Sequence, residues 1–163
     1  MSSELAHIPA GYHSVTPSLT VKDGKAALEF YTKAFGAEER FRLTDPKTGG
    51  IAHAEFAIGD SALMLSDEYP EWNCVAPEIG QGGSFMIYVA DVEESFLRAV
   101  NAGVTVITPP ADQFYGDRSA RLADSFGYRW TLAQRVREVP QEEMEKGMAE
   151  CMGAQDKEPP AST

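Results

Sequence analysis

The chain has 163 residues and a mass of 17.8 kDa, which suits one domain, or two small halves sharing a core, at about 100–200 residues per domain. Its composition, 43% hydrophobic and 24% charged, is that of a packed globule and excludes intrinsic disorder for most of the length. Fourteen Lys and Arg against 25 Asp and Glu leave a formal charge of −11, which repels phosphate backbones and excludes nucleic acid as an expected partner.

From the N-terminus, Val15 to Val21 is rich in β-branched residues and reads as a strand, with Pro17 assigning it to an edge or a first half. Asp23 offers an N-cap to a helix with Ala26, Ala27, Leu28, Phe30, Tyr31, Ala34 and Phe35 at helical spacing, and Gly36 ends it. Ala37 to Leu43 reads as a strand, Asp45 to Gly50 as a turn-rich loop, and Ile51 to Ile58 as a strand. Gly59-Asp60 is a hairpin signal leading into a strand over Ala62 to Leu65. After a Pro- and Gly-bearing connection, Ser84 to Ala90 is the next strand, and Asp91 with Glu94 opens a second helix that Gly103 ends. Val104 to Thr108 is predicted as a strand, Pro109 to Gly116 as a loop, Arg118 to Ala123 as a strand, and Tyr128 to Arg135 as the last strand. Pro140 to Gly153 carries Met144, Met148 and Met152 at helical spacing, a short amphipathic helix able to pack on the body or on a second subunit. Gln155 to Thr163 is expected to fray.

Both halves therefore read βαβββ, and they repeat in register. Leu19, Val21 and Asp23 return as Ile87, Val89 and Asp91, and Gly59 returns as Gly127. The expected organisation is an N-terminal extension over 1–11, a first module over 12–66, a connection over 67–82, a second module over 83–136 and an acidic tail over 137–163, with 12–136 forming one domain. One helix covers one face of a four-stranded sheet, so the other face must find a partner or enclose something. Two such sheets facing each other make a cleft.

Other function classes find no support. The longest apolar run, Phe85 to Ala90, falls far short of the roughly 20 residues a spanning helix needs, so no membrane partner is expected. Residues 1–10 lack a basic cluster and an apolar stretch like those of a signal peptide, so the expected location is cytoplasmic. Cys74 and Cys151 lie far apart and read as free thiols. Phosphate loops, His-Glu-x-x-His and Gly-x-Ser-x-Gly are absent from the sequence.

The strings Leu19-Thr-Val-Lys-Asp23, Phe30-Tyr-Thr-Lys-Ala-Phe-Gly-Ala37, Ile51-Ala-His-Ala-Glu55, Met64-Leu-Ser-Asp67, Pro109 to Arg118 and Asp124-Ser-Phe-Gly-Tyr-Arg-Trp130 resemble the vicinal oxygen chelate superfamily. This is the group of glyoxalases, bleomycin resistance proteins and dioxygenases, and the PhnB-like branch is the nearest. The resemblance implies an α+β fold of two βαβββ modules whose paired sheets enclose a cleft, usually in a homodimer. It also implies that metal-using members draw ligands from the first and fourth strands of each module. Those positions fall here at Thr16, Met64, Ser84 and Thr131, none of them an imidazole or a carboxylate, so no metal cofactor is expected.

His53 and Glu55 share one face of a strand. They could form a base with its orienting carboxylate, half of a relocated site for one divalent metal ion, or a structural hydrogen bond. His7 and His13 read as surface or linker histidines, with His13 facing away from Thr16 on a regular strand. Phe114 and Tyr115 in the 109–116 loop either anchor it or line a cleft mouth, where Trp72 adds a flat surface. Trp130 is expected in the core. Arg118 and Arg121 are expected to pair with Asp117 and Asp124 or with an anionic ligand. The expected function is binding of an aromatic or antibiotic-like small molecule by Thr16, Met64, Ser84, Met86 and Thr131, rimmed by Trp72, Phe114 and Tyr115. The alternative is a metal-dependent lyase, isomerase or dioxygenase with relocated ligands at His53 and Glu55.

Overall fold

Two aspartates set the frame. Asp23 accepts the amide of Ala26 at 3.0 Å and Asp91 that of Glu94 at 3.0 Å, each filling one of the open donors that begin a helix. The computed structural model, which describes residues 5–155, places these caps at the start of α1 (Gly24–Phe35) and α2 (Val92–Asn101). Around α1 lie β1 (Ser18–Val21), β2 (Glu38–Thr44), β3 (Ile51–Ile58) and β4 (Ser61–Asp67) in the order β1-β4-β3-β2. Around α2 lie β5 (Ser84–Tyr88), β6 (Thr105–Asp112), β7 (Asp117–Ala123) and β8 (Arg129–Arg135) in the order β5-β8-β7-β6. In each sheet the first strand pairs parallel with the fourth and the other pairings are antiparallel. The fold is thus the expected α+β pair of βαβββ modules, and α3 (Gln141–Gln155) follows it.

The repeat extends to hydrogen bonds. Asp67, the last residue of β4, accepts the amide of Gly24 at 2.6 Å, and Gln134, near the end of β8, accepts that of Val92 at 3.1 Å. Asp67 also accepts the amide of Ile51 at 3.1 Å, tying three elements together. Gly24 is obligatory there, since a Cβ would sit 2.6 Å from the Asp67 carboxylate and 2.8 Å from Ile51.

The modules are joined by aromatic residues. Tyr31 and Phe35 of α1 meet Trp130 of β8 at ring-centroid distances of 5.2 and 4.8 Å, and Phe85 of β5 reaches the same indole at 4.9 Å. Asp124 sits inside this cluster, 3% exposed, and accepts the Tyr31 hydroxyl at 2.7 Å, the Trp130 indole N–H at 2.8 Å and the amides of Phe126 and Tyr128 at 2.9 Å. Burial, then the adjacent Asp124 carboxylate, pushes the Tyr31 phenol far above its ordinary value. Tyr128 closes the seam by donating its hydroxyl to the Thr20 carbonyl at 2.9 Å and accepting the Thr20 amide at 3.0 Å. Trp130 therefore lies in the core as expected.

Several boundaries differ from the sequence reading. β1 starts at Ser18 rather than Val15, because Pro17 has no N–H to give the ladder, although its carbonyl still accepts the Met64 amide at 2.9 Å. β6 runs on to Asp112 through Pro109 and Pro110, where the sequence predicts a loop; it is an edge strand paired only with β7, and its register shifts between Thr108 and Ala111. The loop shrinks to the turn Gln113–Gly116. α2 is capped at Ala102, with Gly103 at φ 99 just beyond it. Gln155 ends α3, while 156–163 of the expected frayed end lie outside the described residues. No helix among the described residues is long and apolar enough to cross a membrane.

Candidate functional site

Alternation along the strands sorts each sheet into two faces. In the first module Leu19, Val21 and Leu65 are fully or almost fully buried toward α1, so Ser18, Thr20 and Met64 turn to the helix-free face. Ser18 pairs with Met64, Met64 with Glu55, and Glu55 with Phe41, a row across that face. In the second module Trp130 and Leu132 face the core, so Met86, its ladder partner Thr131, and the Arg121 that pairs with Thr131 form the matching row.

Thr16 and Met64 line one cavity of about 350 Å³ together with His7, Tyr12 and His13. His13 thus stands beside Thr16 and not opposite it, because residues 12–17 form no strand; Tyr12 instead closes a turn onto the Pro9 carbonyl at 3.1 Å. This segment is anchored to the sheet where the Tyr12 hydroxyl donates to Glu55 Oε2. Glu55 Oε1 lies 3.2 Å from His53 Nε2, so the expected Glu–His pair exists and its carboxylate is held on both oxygens. The Tyr12 hydrogen bond, then that of His53, draws Glu55 below its ordinary value, and the same contact raises the Tyr12 phenol.

Met86 lines a second cavity, of about 270 Å³, with Tyr88, Trp130, Pro17 and the β3–β4 hairpin residues Ile58 to Ser61. Ser84 and Thr131 flank Met86 on the same face. Phe114 and Tyr115 pack edge to face at 5.2 Å in the β6–β7 turn, opposite Met144 and Met148 of α3 across an open apolar cavity of about 530 Å³. Trp72 is 71% exposed in a short 3₁₀ turn, stacked on Tyr69 at 5.0 Å, and lines none of these cavities. Within one chain the candidate residues therefore form three groups: Thr16 with Met64, Ser84 with Met86 and Thr131, and Phe114 with Tyr115.

Neither Arg118 nor Arg121 pairs with Asp117 or Asp124, and Arg121 makes no ion pair among the described residues. Arg118 bonds Glu93 at 2.8 Å and Asp112 at 3.0 Å, since Arg118 shares the helix face of β7 with Ala120 and Leu122. Asp117 and Asp124 are both buried, Asp124 serving the aromatic core. Sequence reasoning missed Tyr12, whose contact with Glu55 spans 43 residues and leaves no periodic trace. It also missed Tyr88, 66% exposed, which alternation from Met86 would have placed on the open face.

Two hydroxyls on one sheet, with a hydroxyl and a thioether on the other, do not offset the dehydration of a hard divalent cation. The donor set at Thr16, Met64, Ser84 and Thr131 does not fit one. Among the described residues no three His, Cys, Asp or Glu side chains are grouped to hold a metal ion.

Residues 11–132 match the family model of the glyoxalase/bleomycin resistance protein/dioxygenase superfamily. The uncharacterized protein Rv0887c of Mycobacterium tuberculosis H37Rv is 39% identical over 141 residues, covering 83% of this chain and 82% of that one. Among solved structures, TioX from Micromonospora sp. ML1 superposes with a TM-score of 0.62 at 25% identity, covering 76% of this chain and 99% of its own. The fosfomycin resistance protein FosX from Listeria monocytogenes shares the fold with a TM-score of 0.53 at 22% identity, covering 88% and 98%. Paired βαβββ modules, their repeated register and a family match over most of the length agree: this chain belongs to the glyoxalase/bleomycin resistance protein/dioxygenase superfamily.

Proposed function

We propose that the protein binds an aromatic or antibiotic-like small molecule on the helix-free faces of its sheets, as a homodimer and without the metal centre of its catalytic relatives. What supports the reading is the residue chemistry at the four positions to which the family resemblance assigns the ligands of metal-using members: Thr16, Met64, Ser84 and Thr131 offer no imidazole and no carboxylate. Such residues suit burial of a planar ligand, with thioether and methyl contacts to its faces and hydroxyl hydrogen bonds to its edge. His53 and Glu55 are occupied with each other and with Tyr12, which favours a structural role for that pair over half of a relocated metal site.

Two measurements test this. Protein expressed in medium supplemented with nickel, zinc, manganese and iron, purified without chelator or affinity tag, is expected to retain far less than one ion per chain; about one tightly held ion per chain overturns the reading. A panel of planar aromatic antibiotics is expected to include compounds that raise the melting temperature of the native protein. That shift should be lost in Met64→Glu and Thr131→Glu, and binding that persists in both variants places the ligand elsewhere.

A further inference from the structure

α3 has no adequate partner in its own chain. Of residues 141–153, only Met144 and Gly147 are even partly covered, and the cover is Phe114, whose ring lies 2.7 Å from where a Gly147 Cβ would stand. Met148 and Met152 continue the stripe at 50% and 58% exposure. A helix of about fifteen residues is marginal in water unless an apolar face is packed, so this stripe calls for a surface.

The helix-free face of the second module is buried at Ser119 and Ala133 but exposed along β5, and the chemistry of the exposed part is complementary. Met86 and Tyr88 are 50% and 66% exposed there. Beside them stand Arg121 and Arg129, both exposed, whose guanidinium groups pair with no carboxylate among the described residues. α3 carries Glu142, Glu143, Glu145 and Glu150 against Lys146 alone. An apolar stripe with an acidic flank thus has a counterpart in an apolar patch with a basic flank. In its own chain α3 is seated at the β6–β7 turn, at the far edge of the sheet from β5. Contact of α3 with a second α3 would set like charges together.

We infer that α3 of one copy lies across the helix-free face of the second module of another copy, where Met148 and Met152 cover Met86 and complete the wall of the face that carries Ser84 and Thr131. The contact is reciprocal under a two-fold axis, so each chain contributes its helix and its sheet and the assembly closes at two copies. Two equivalent contacts supply the roughly 800 Å² per partner that a stable interface needs more readily than one. α3 lies beyond the residues matched by the family model, so this wall is an addition to the shared fold. The placement rests on the two surfaces; that it encloses a ligand rests on the binding reading above.

Sedimentation velocity on the full chain over a range of concentrations tests the contact. The native protein is expected to dimerise. Met148→Glu/Met152→Glu and Arg121→Glu/Arg129→Glu are each expected to weaken dimerisation at least about tenfold while circular dichroism stays native. Glu145→Arg/Glu150→Arg combined with Arg121→Glu/Arg129→Glu is expected to recover much of the loss. For position, a Cys74→Ser chain nitroxide-labelled at Cys151 is mixed with unlabelled protein; it should broaden the Met86 methyl resonance of the unlabelled chain and spare that of Met64. A monomeric native protein, a dimer unaffected by Met148→Glu/Met152→Glu, or broadening at Met64 instead of Met86 overturns the inference. A dimer that ignores the helix variants leaves the binding reading intact, whereas retained metal overturns that reading without touching this contact.

Discussion

The first module and the second have the same strand order, the same parallel pairing of first and fourth strands, and the same strand-end acceptor on the first amide of the helix. Their helix-free faces share almost nothing. The first lies under the chain's own N-terminal segment, with Tyr12 anchored to Glu55 and Thr16 beside Met64. The second leaves Met86, Tyr88, Arg121 and Arg129 exposed. Backbone pattern and core-facing residues fix the module, while the opposite face stays free to diverge, and divergence there separates members of one fold by function.

The largest expected difference lies at Asp124. Its counterpart 68 residues earlier is Phe56, which is fully buried, so only the second module places a carboxylate in the shared core. Asp124→Ala orphans the Tyr31 hydroxyl, the Trp130 indole N–H and two amides, at about 1–3 kcal/mol for a buried unsatisfied donor. Urea unfolding should show a loss of at least about 4 kcal/mol for the four donors together, and a loss under about 1 kcal/mol would mean that the aromatic contacts alone join the modules.

The paired hairpin glycines sharpen the comparison. Gly59 has φ 58 with nothing within 4 Å of an added Cβ, whereas Gly127 has φ 106 and its Cβ would stand 2.9 Å from the Pro77 carbonyl oxygen and 2.7 Å from the Pro77 ring. Gly59→Ala should cost only the left-handed strain of about 1–2 kcal/mol. Gly127→Ala adds an overpacking cost of about 1–3 kcal/mol, and equal losses would show that the connection yields freely.

Next come the helix anchors. Asp67→Ala removes a charged acceptor of two amides and should cost about 1.5–3 kcal/mol, while Gln134→Ala removes one neutral bond at about 0.5–1.5 kcal/mol. Thermal melts of both variants would reveal a reversed order, which would contradict the anchoring role of Asp67.

The smallest effect concerns Tyr12. Glu55 is depressed below its ordinary value by Tyr12 and then His53, so the stabilisation is present above the unfolded carboxylate value of about 4.3 and is lost as pH falls through the lower folded value. Tyr12→Phe should lower the melting temperature by roughly 1–3 °C at neutral pH, on the scale of one net hydrogen bond, and the gap should close in acid. A gap that stays constant with pH would assign the effect to packing.

The two βαβββ units were legible because helix caps, closing glycines and strand alternation recur at a fixed offset, and these are local signals. Thr16 and Met64 line one cavity, and Met86 and Thr131 are ladder partners on one face, but Thr16 lies outside β1, so strand alternation does not explain its position. What escaped was long-range. Nothing near Tyr12 announces Glu55, and no periodicity says that α1 should bury Tyr31 and Phe35 against Trp130 of the other half. β6 extends through Pro109 and Pro110 because an edge strand tolerates proline where a ladder bond is not required, a tolerance that the residues alone do not reveal.

The two tryptophans occupy opposite environments, Trp130 at 1% exposure in the seam between modules and Trp72 at 71% on the connection. Their fluorescence is therefore separable without labels: a collisional quencher such as iodide silences the exposed indole first and leaves an emission from the seam alone. One unmodified chain thus carries two built-in optical probes, able to tell whether the halves part before the connection loosens or only together with it.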